Sequence, residues 1–204
     1  MVQYKRRFAI SDVSLKKFKE IYGNKVEKED IFYYLYAVLQ CRKYIEIYGD
    51  NLSKEMPRIP MLDKFLEYVR IGKELAKLHL AYEQEIDPAS IGLEIQIDKP
   101  NYNVKKIQFK KEGKTVQKNT IYFNHYITIS NIPERAYEYV VNGKSAIEWV
   151  MERYAVRVDK VSGILDDPNL YGEEKYIFNL LLSVIALSVK TQDLIDSLPE
   201  YKEI

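Results

Sequence analysis

Apolar positions along this chain change their period twice, near residues 86 and 131, and so divide it into three stretches. The first, 1–85, is mainly helical in pattern. Tyr4 to Ile10 reads as the end of a strand. A helix follows from a Ser11/Asp12 cap to Tyr22, where Gly23 stops it. Ile31 to Leu39 is apolar on every side, which predicts a helix buried on every face, with Lys28, Glu29 and Asp30 ahead of it. Arg42 to Tyr48 is amphipathic, and Gly49-Asp50-Asn51 reads as a break. Pro57 and Pro60 then fix an extended segment around Arg58. Leu62, Phe65, Leu66, Val69, Leu75, Leu78 and Leu80 predict a long helix over about 61–83.

In the second stretch, 86–130, the period falls to two. Leu93, Ile95 and Ile97 alternate with polar residues, as in a half-buried strand. Val104 to Phe109 predicts a second strand, and Glu112-Gly113 a hairpin turn after it. Ile121, Phe123, His125, Ile127 and Ile129 place one apolar face on a third strand, with Tyr122, Asn124, Tyr126 and Thr128 on the other. The third stretch, 131–204, is mainly helical again. Pro133 opens a short helix that Gly143 closes, Ser145 caps another carrying Ile147, Trp149, Val150 and Tyr154, and a last helix covers about Glu174 to Leu198. Asp166-Asp167-Pro168-Asn169 reads as a loop between them. Helices, then antiparallel hairpins, then helices make an α+β fold, expected as a single domain over 1–204.

Composition narrows the class. Apolar residues make up 47% of 204 and charged residues 30%, enough for a folded core. No apolar run reaches the roughly 18 residues of a membrane span, and no apolar stretch follows the basic start as in a secretory signal. Cys41 stands alone, so no internal disulfide is possible and a cytoplasmic location is expected. The net charge of +1 is low for a protein that holds DNA unaided. Eighteen tyrosines stand out, because tyrosine covers apolar surface and still offers a hydroxyl to an interface, a polar groove or the core.

The sequence carries little that points to catalytic chemistry. Gly143-Lys144-Ser145 resembles the end of a phosphate-binding loop, but Glu138 stands where the first glycine is needed, and a helix stop followed by a helix cap explains the residues better. Asp167 with Glu173-Glu174-Lys175 lies in a loop and a helix start, not on the strands a metal-dependent nuclease uses. Two histidines and one cysteine fall short of a zinc site. His79 reads as a packed or capping residue beside Leu78 and Leu80, and His125 as a satisfied core histidine or else a polar contact to a partner. The prolines are all isolated and there is no nucleotide-binding glycine pattern, so neither a catalytic residue, a metal nor a cofactor is expected.

The positive charges are uneven. Lys105, Lys106, Lys110, Lys111, Lys114 and Lys118 crowd one hairpin, interrupted only by Glu112. Lysines so placed can neutralise phosphates, or can protect an edge strand from aggregation. Lys5-Arg6-Arg7 with Lys16, Lys17 and Lys19 forms a weaker cluster.

Asp30 to Leu39, then Asn51-Leu52 and Pro57-Arg58-Ile59-Pro60, resemble a signature in the specificity region of type ISP restriction–modification enzymes. Ile127 to Pro133, Tyr137 to Ser145, Ala146 to Tyr154, Ser162-Gly163-Ile164 and Asp167-Pro168-Asn169 resemble the same region further on, so the likeness spans roughly 28–198. Such proteins join a nuclease, a helicase-like ATPase and an adenine methyltransferase to a target-recognition domain. The resemblance implies a non-catalytic DNA target-recognition module. It would position the methyltransferase on a short asymmetric sequence of double-stranded DNA, and its partners would be the upstream methyltransferase and helicase domains rather than a membrane. On that reading the six lysines hold the backbone, while Arg58 reaches base edges or else forms a salt bridge within the fold. Two other readings stand beside it. One is a protein-interaction or structural module docking the aromatic 31–39 helix on a partner domain. The other is a small enzyme with an unrecognised site. The first strand reads as though it continued from upstream sequence.

Overall fold

The structure, a computed structural model, describes residues 9–52, 54–84, 87–170 and 172–204. The strand expected at Tyr4 to Ile10 and the Lys5-Arg6-Arg7 part of the basic cluster lie outside them, save for Ala9 and Ile10. The chain forms two compact units, Met1–Leu78 with Leu194–Ile204, and His79–Asp193.

The first unit contains α1 (Asp12–Tyr22), α2 (Lys28–Val38), α3 (Arg42–Leu52) and most of α4 (Phe65–Leu80). Ser11 caps α1 by accepting from the Ser14 amide at 3.0 Å, and Gly23 ends it at φ 100°. Glu27 and Asp30 form a reciprocal capping box at the start of α2. The expected burial of α2 on every face does not hold. Ile31, Tyr34, Ala37 and Val38 are buried, whereas Phe32 is 49% exposed, because an α-helix in a unit this small turns one side to solvent. The expected break at Gly49 is absent as well. The helix runs on through Leu52, since one glycine weakens a helix without ending it. The core is aromatic: Tyr22 stacks on Phe65 at 4.4 Å, and Tyr34 lies 5.0 Å from Phe65 and 5.9 Å from Tyr68. Gly72 of α4 meets the backbone of Tyr33 in α2 so closely that a Cβ there would lie 1.9 Å from the Tyr33 carbonyl oxygen.

Residues 57–61 lie outside any helix or strand, and tyrosine hydroxyls hold them and Leu62. Tyr44 donates to the Arg58 carbonyl at 2.9 Å, Tyr34 to the Pro60 carbonyl at 2.7 Å and Tyr22 to the Leu62 carbonyl at 2.8 Å. Tyr34 also accepts from the Leu62 amide at 3.1 Å. These hydroxyls replace the ladder partners that a segment outside any sheet lacks. Asp63 N–H and Ile204 N–H pair with the carbonyls of Lys202 and Met61, adding a short bridge to the C-terminal residues.

The second unit is built on a four-stranded antiparallel sheet in the order β1-β4-β3-β2, from β1 (Glu94–Ile97), β2 (Gln108–Glu112), β3 (Thr115–Tyr122) and β4 (Ile127–Ser130). The third strand read from the sequence is in fact two strands. β3 and β4 form a hairpin, with Ile121 opposite Ile129 and Tyr122 opposite Thr128. The chain reverses at 123–126, where the Asn124 side chain accepts from the amides of Tyr126 and Ile127. His125 is therefore exposed in the turn and is not a core histidine. A small hairpin, β5 (Val140–Val141) and β6 (Lys144–Ser145), follows, and Gly143 serves its turn with Asn142 instead of closing a helix. Both turn residues have positive φ, 49° and 82°, the backbone a tight two-residue hairpin demands. Ser145 and Glu148 then form the capping box of α5 (Ala146–Arg153). β7 (Arg157–Val158) and β8 (Leu165–Asp166) make a further hairpin before α6 (Tyr176–Asp196).

One face of the sheet carries the core. Ile121, Phe123, Ile127 and Ile129 cluster with Ile147 of α5 and with Phe178, Leu181 and Ile185 of α6. Phe123 meets Phe178 edge-on at 5.3 Å. Each buried side chain of this kind contributes roughly 1.5–3 kcal/mol, against about 0–1 for an exposed ion pair. The stability of the sheet therefore lies in its inner face. Among the described residues α6 alone is long and apolar enough to cross a membrane, but 72% of that stretch is buried in the protein, so it serves as a core helix. The α+β order of helices, antiparallel sheet and helices holds.

Candidate nucleic-acid interface

The lysine-rich hairpin is the β2–β3 pair, at the edge of the sheet. Glu112 and Thr115 face each other across its tip, and Gly113 takes the positive φ of 62° that the turn needs. The pairing slips between Phe109 and Lys110: Phe109 faces Ile121, but Lys110 faces Gln117. The slip places more residues on β3 than on β2, so residues 118–120 bulge out of the ladder. They find partners elsewhere, Asn119 accepting from the Ile132 amide and the Lys118 carbonyl from the Tyr137 hydroxyl.

The six lysines do not form one equivalent set. Lys105 and Lys106 are exposed just before β2, and Lys111 and Lys114 are exposed near the tip. None of these four has an ion-pair partner among the described residues. Lys110 shares its charge with Glu112 at 3.2 Å. Lys118 is half-exposed and binds Glu148 at 3.1 Å, with its ammonium 5.1 Å from the centre of the Tyr137 ring and 5.8 Å from that of Phe109. Burial pushes the Glu148 carboxyl up, but hydrogen bonds from Ser145 and Lys118 outweigh it and hold the carboxyl below its ordinary range. Arg58 belongs to the other unit. Its side chain is exposed and forms no ion pair among the described residues, so the salt bridge weighed for it is absent from them.

Beside the unpaired lysines the outer face of the sheet is concave. A groove of about 580 Å³ is lined by Lys105, Lys106, Gln108, Tyr122, Asn124, His125 and Thr128. The strand register accounts for it. Gln108 faces Tyr122, Tyr122 faces Thr128 and Thr128 faces Gln96, so a polar row crosses all four strands on the side opposite Phe109, Ile121, Ile129 and Ile95. The alternation of Tyr122, Asn124, Tyr126 and Thr128 in the sequence signals this face, although nothing local connects it to Gln108 or to Lys105 and Lys106. His79 is tied into the fold: its Nε2 lies 2.9 Å from the Thr191 hydroxyl, its ring stacks on Tyr139 at 5.1 Å, and burial pushes its pKa down. Lys144 and Ser145 of the phosphate-loop look-alike are occupied by Glu152 and by the cap of α5.

Comparison with known proteins gives one family and a consistent set of structures. A family described as Type ISP C-terminal specificity domain matches residues 2–180. The chain superposes on a nuclease-deletion mutant of the Type ISP restriction-modification enzyme LlaGI in complex with a DNA substrate mimic, at 48% identity and a TM-score of 0.78, over 89% of this chain and 14% of that one. It superposes on the ATP-dependent Type ISP enzyme LlaBIII bound to DNA at 44% identity and a TM-score of 0.85, over 98% of this chain and 13% of that one. A DrdV–DNA complex matches at 28% identity and a TM-score of 0.78, over 93% of this chain and 20% of that one. The chain thus spans between an eighth and a fifth of the length of these solved chains. No curated protein matches it.

Proposed function

The chain belongs to the Type ISP C-terminal specificity domain family, and from that premise we propose that it is the DNA target-recognition module of a restriction–modification enzyme. It positions an adenine methyltransferase and its translocase on a short asymmetric sequence of double-stranded DNA. It supplies no catalytic group of its own. Its partners are the duplex and the methyltransferase and helicase domains of the same or a neighbouring polypeptide. It works in the cytoplasm, where the buried Cys41 needs no oxidising compartment.

The observation that carries this reading is the set of unpaired lysines, Lys105, Lys106, Lys111 and Lys114, gathered along one hairpin of a nearly neutral chain. Phosphates are their natural counter-charges, and each phosphate neutralised adds salt-dependent affinity without sequence information. Lys110, shared with Glu112, contributes less. Lys118 acts on the duplex indirectly by fixing the bulge that shapes the hairpin. Arg58, held out on its tyrosine-clamped segment, adds a further cation. The net charge of +1 keeps the module a weak binder alone, so affinity comes mainly from the complete enzyme. The test is duplex binding by the complete polypeptide across a salt series, with Lys111→Glu and Lys114→Glu. A large, salt-sensitive loss of affinity supports the assignment. Unchanged binding removes the hairpin from the interface. No binding at any salt concentration favours instead a protein-docking role.

A further inference from the structure

We infer that the outer face of the β2–β3–β4 sheet reads base edges, through Gln108, Tyr122, His125 and Thr128. This rests on the proposal that the chain recognises DNA, and goes beyond it by separating the residues that choose the sequence from those that hold the backbone.

The polar groups that line the groove differ in whether the fold already uses them. Asn124 lines it but is fully committed: its amide donates to the carbonyls of Asn101 and Asn103 at 2.7 and 3.0 Å, and its oxygen accepts from the amides of Tyr126 and Ile127. Gln96, at the far end of the polar row, donates to Asp98 at 3.0 Å. Gln108, Tyr122, His125 and Thr128 make no side-chain hydrogen bond to another described residue, and all four line the groove. Free hydrogen-bonding groups therefore concentrate at one end of the sheet, beside Lys105 and Lys106. The committed Asn124 has a separate task, fixing the turn that holds His125 at the rim.

The residue types suit bases better than a small molecule or a peptide. The Gln108 amide carries a donor and an acceptor in one plane, the pair that matches adenine N7 and N6 in the major groove. The two ring nitrogens of His125 can donate to guanine or accept from an exocyclic amine. Thr128 presents a methyl group to thymine along with its hydroxyl. Strands lie about 4.8 Å apart, so the polar groups of β2 to β4 are spread over roughly 10 Å, the rise of about three base pairs. Lys105 and Lys106 on the rim then meet the phosphates that bound the major groove.

The test uses the complete polypeptide and a pool of duplexes with a randomised stretch, sequencing the bound fraction. The wild-type protein enriches a motif. Gln108→Ala and His125→Ala each erase the preference at one or two positions, with discrimination there falling on the order of 10- to 100-fold, while binding to random duplex persists. Gln96→Ala, which loses only the contact to Asp98, keeps the whole motif. A wild-type motif retained intact by both variants overturns the base-reading assignment alone. If the wild-type protein retains no duplex at all, the recognition reading itself fails and this inference falls with it.

Discussion

Lys118 reaches 3.1 Å from the carboxylate of Glu148, thirty positions along the chain, and so shares its charge with an acid of α5 while Lys105, Lys106, Lys111 and Lys114 do not. Its ammonium also faces the Tyr137 ring, and Glu148 completes the cap of α5. Truncation of Lys118 to alanine is expected to destabilise the second unit by about 1 kcal/mol, the sum of a half-exposed ion pair and a cation–π contact. It should weaken duplex binding less than Lys111→Ala does. The pH dependence follows from Glu148. A carboxyl held below its ordinary range contributes stability above the pKa of the unfolded chain and loses it as pH falls through the folded pKa. The stability gap between wild type and Glu148→Gln should therefore be widest at neutral pH and close in acid. Urea unfolding at several pH values measures it, and a gap that widens on acidification contradicts the assignment.

Lys111 and Lys114 are exposed and unpaired among the described residues, so each can neutralise a phosphate at little cost to the fold. Replacing both with glutamine should reduce the slope of log affinity against log salt by about two, since each lost phosphate contact removes about one. Related and unrelated duplexes should weaken alike, because backbone contacts carry no sequence information. An unchanged slope in a salt titration by fluorescence anisotropy contradicts the assignment.

Gly72 and Tyr33 set how closely α4 crosses α2. Gly72→Ala returns at most about 1 kcal/mol of helix propensity, but its methyl would have to share space with the Tyr33 carbonyl, which as backbone cannot swing aside. Overpacking of that kind costs on the order of 3 kcal/mol or more, so the substitution should be clearly destabilising. Gly49→Ala is the control. A Cβ there meets only Ile45 Cγ2 at an ordinary 3.6 Å, and the midpoint of unfolding should hold or rise. Equal behaviour of the two variants in thermal melts would contradict the crossing.

What the sequence disclosed, and what it concealed, follows from the range of the interactions involved. Caps and turns are local, and α1, α5, α6 and the turn at Gly113 lie close to where they read, whereas the strand expected at Val104 to Phe109 starts only at Gln108 and β3 already begins at Thr115, because the polar, lysine-rich arms of this hairpin show no apolar alternation. The split of β3 from β4 was hidden because Phe123 and Ile127 both face the core across a turn that preserves their parity, so alternation continues unbroken through a chain reversal. Charge density along residues 105–118 was visible in the sequence. Which lysine pairs with an acid was not, because Glu148 lies beyond the sheet in α5. The polar row needed the register of all four strands to bring Gln108 beside Tyr122 and Thr128.

Tyr34 connects the core of the first unit to the segment that carries Arg58. Its ring is fully buried against Phe65 and Tyr68, while its hydroxyl donates to Pro60 and accepts from Leu62. Tyr34→Phe keeps the ring and the packing, so any loss reports the hydroxyl alone. It leaves the Leu62 amide and the Pro60 carbonyl without their partner in a buried place, and such unmade hydrogen bonds cost about 1–3 kcal/mol. Tyr22 and Tyr44 still hold the Leu62 and Arg58 carbonyls, so the segment should loosen locally instead of detaching. Hydrogen exchange should then speed up at the Leu62 amide more than at amides inside α2. Exchange at Leu62 that is unchanged while global stability falls would mean that the hydroxyl serves the core, and that the segment around Arg58 is held by its prolines and remaining tyrosines without it.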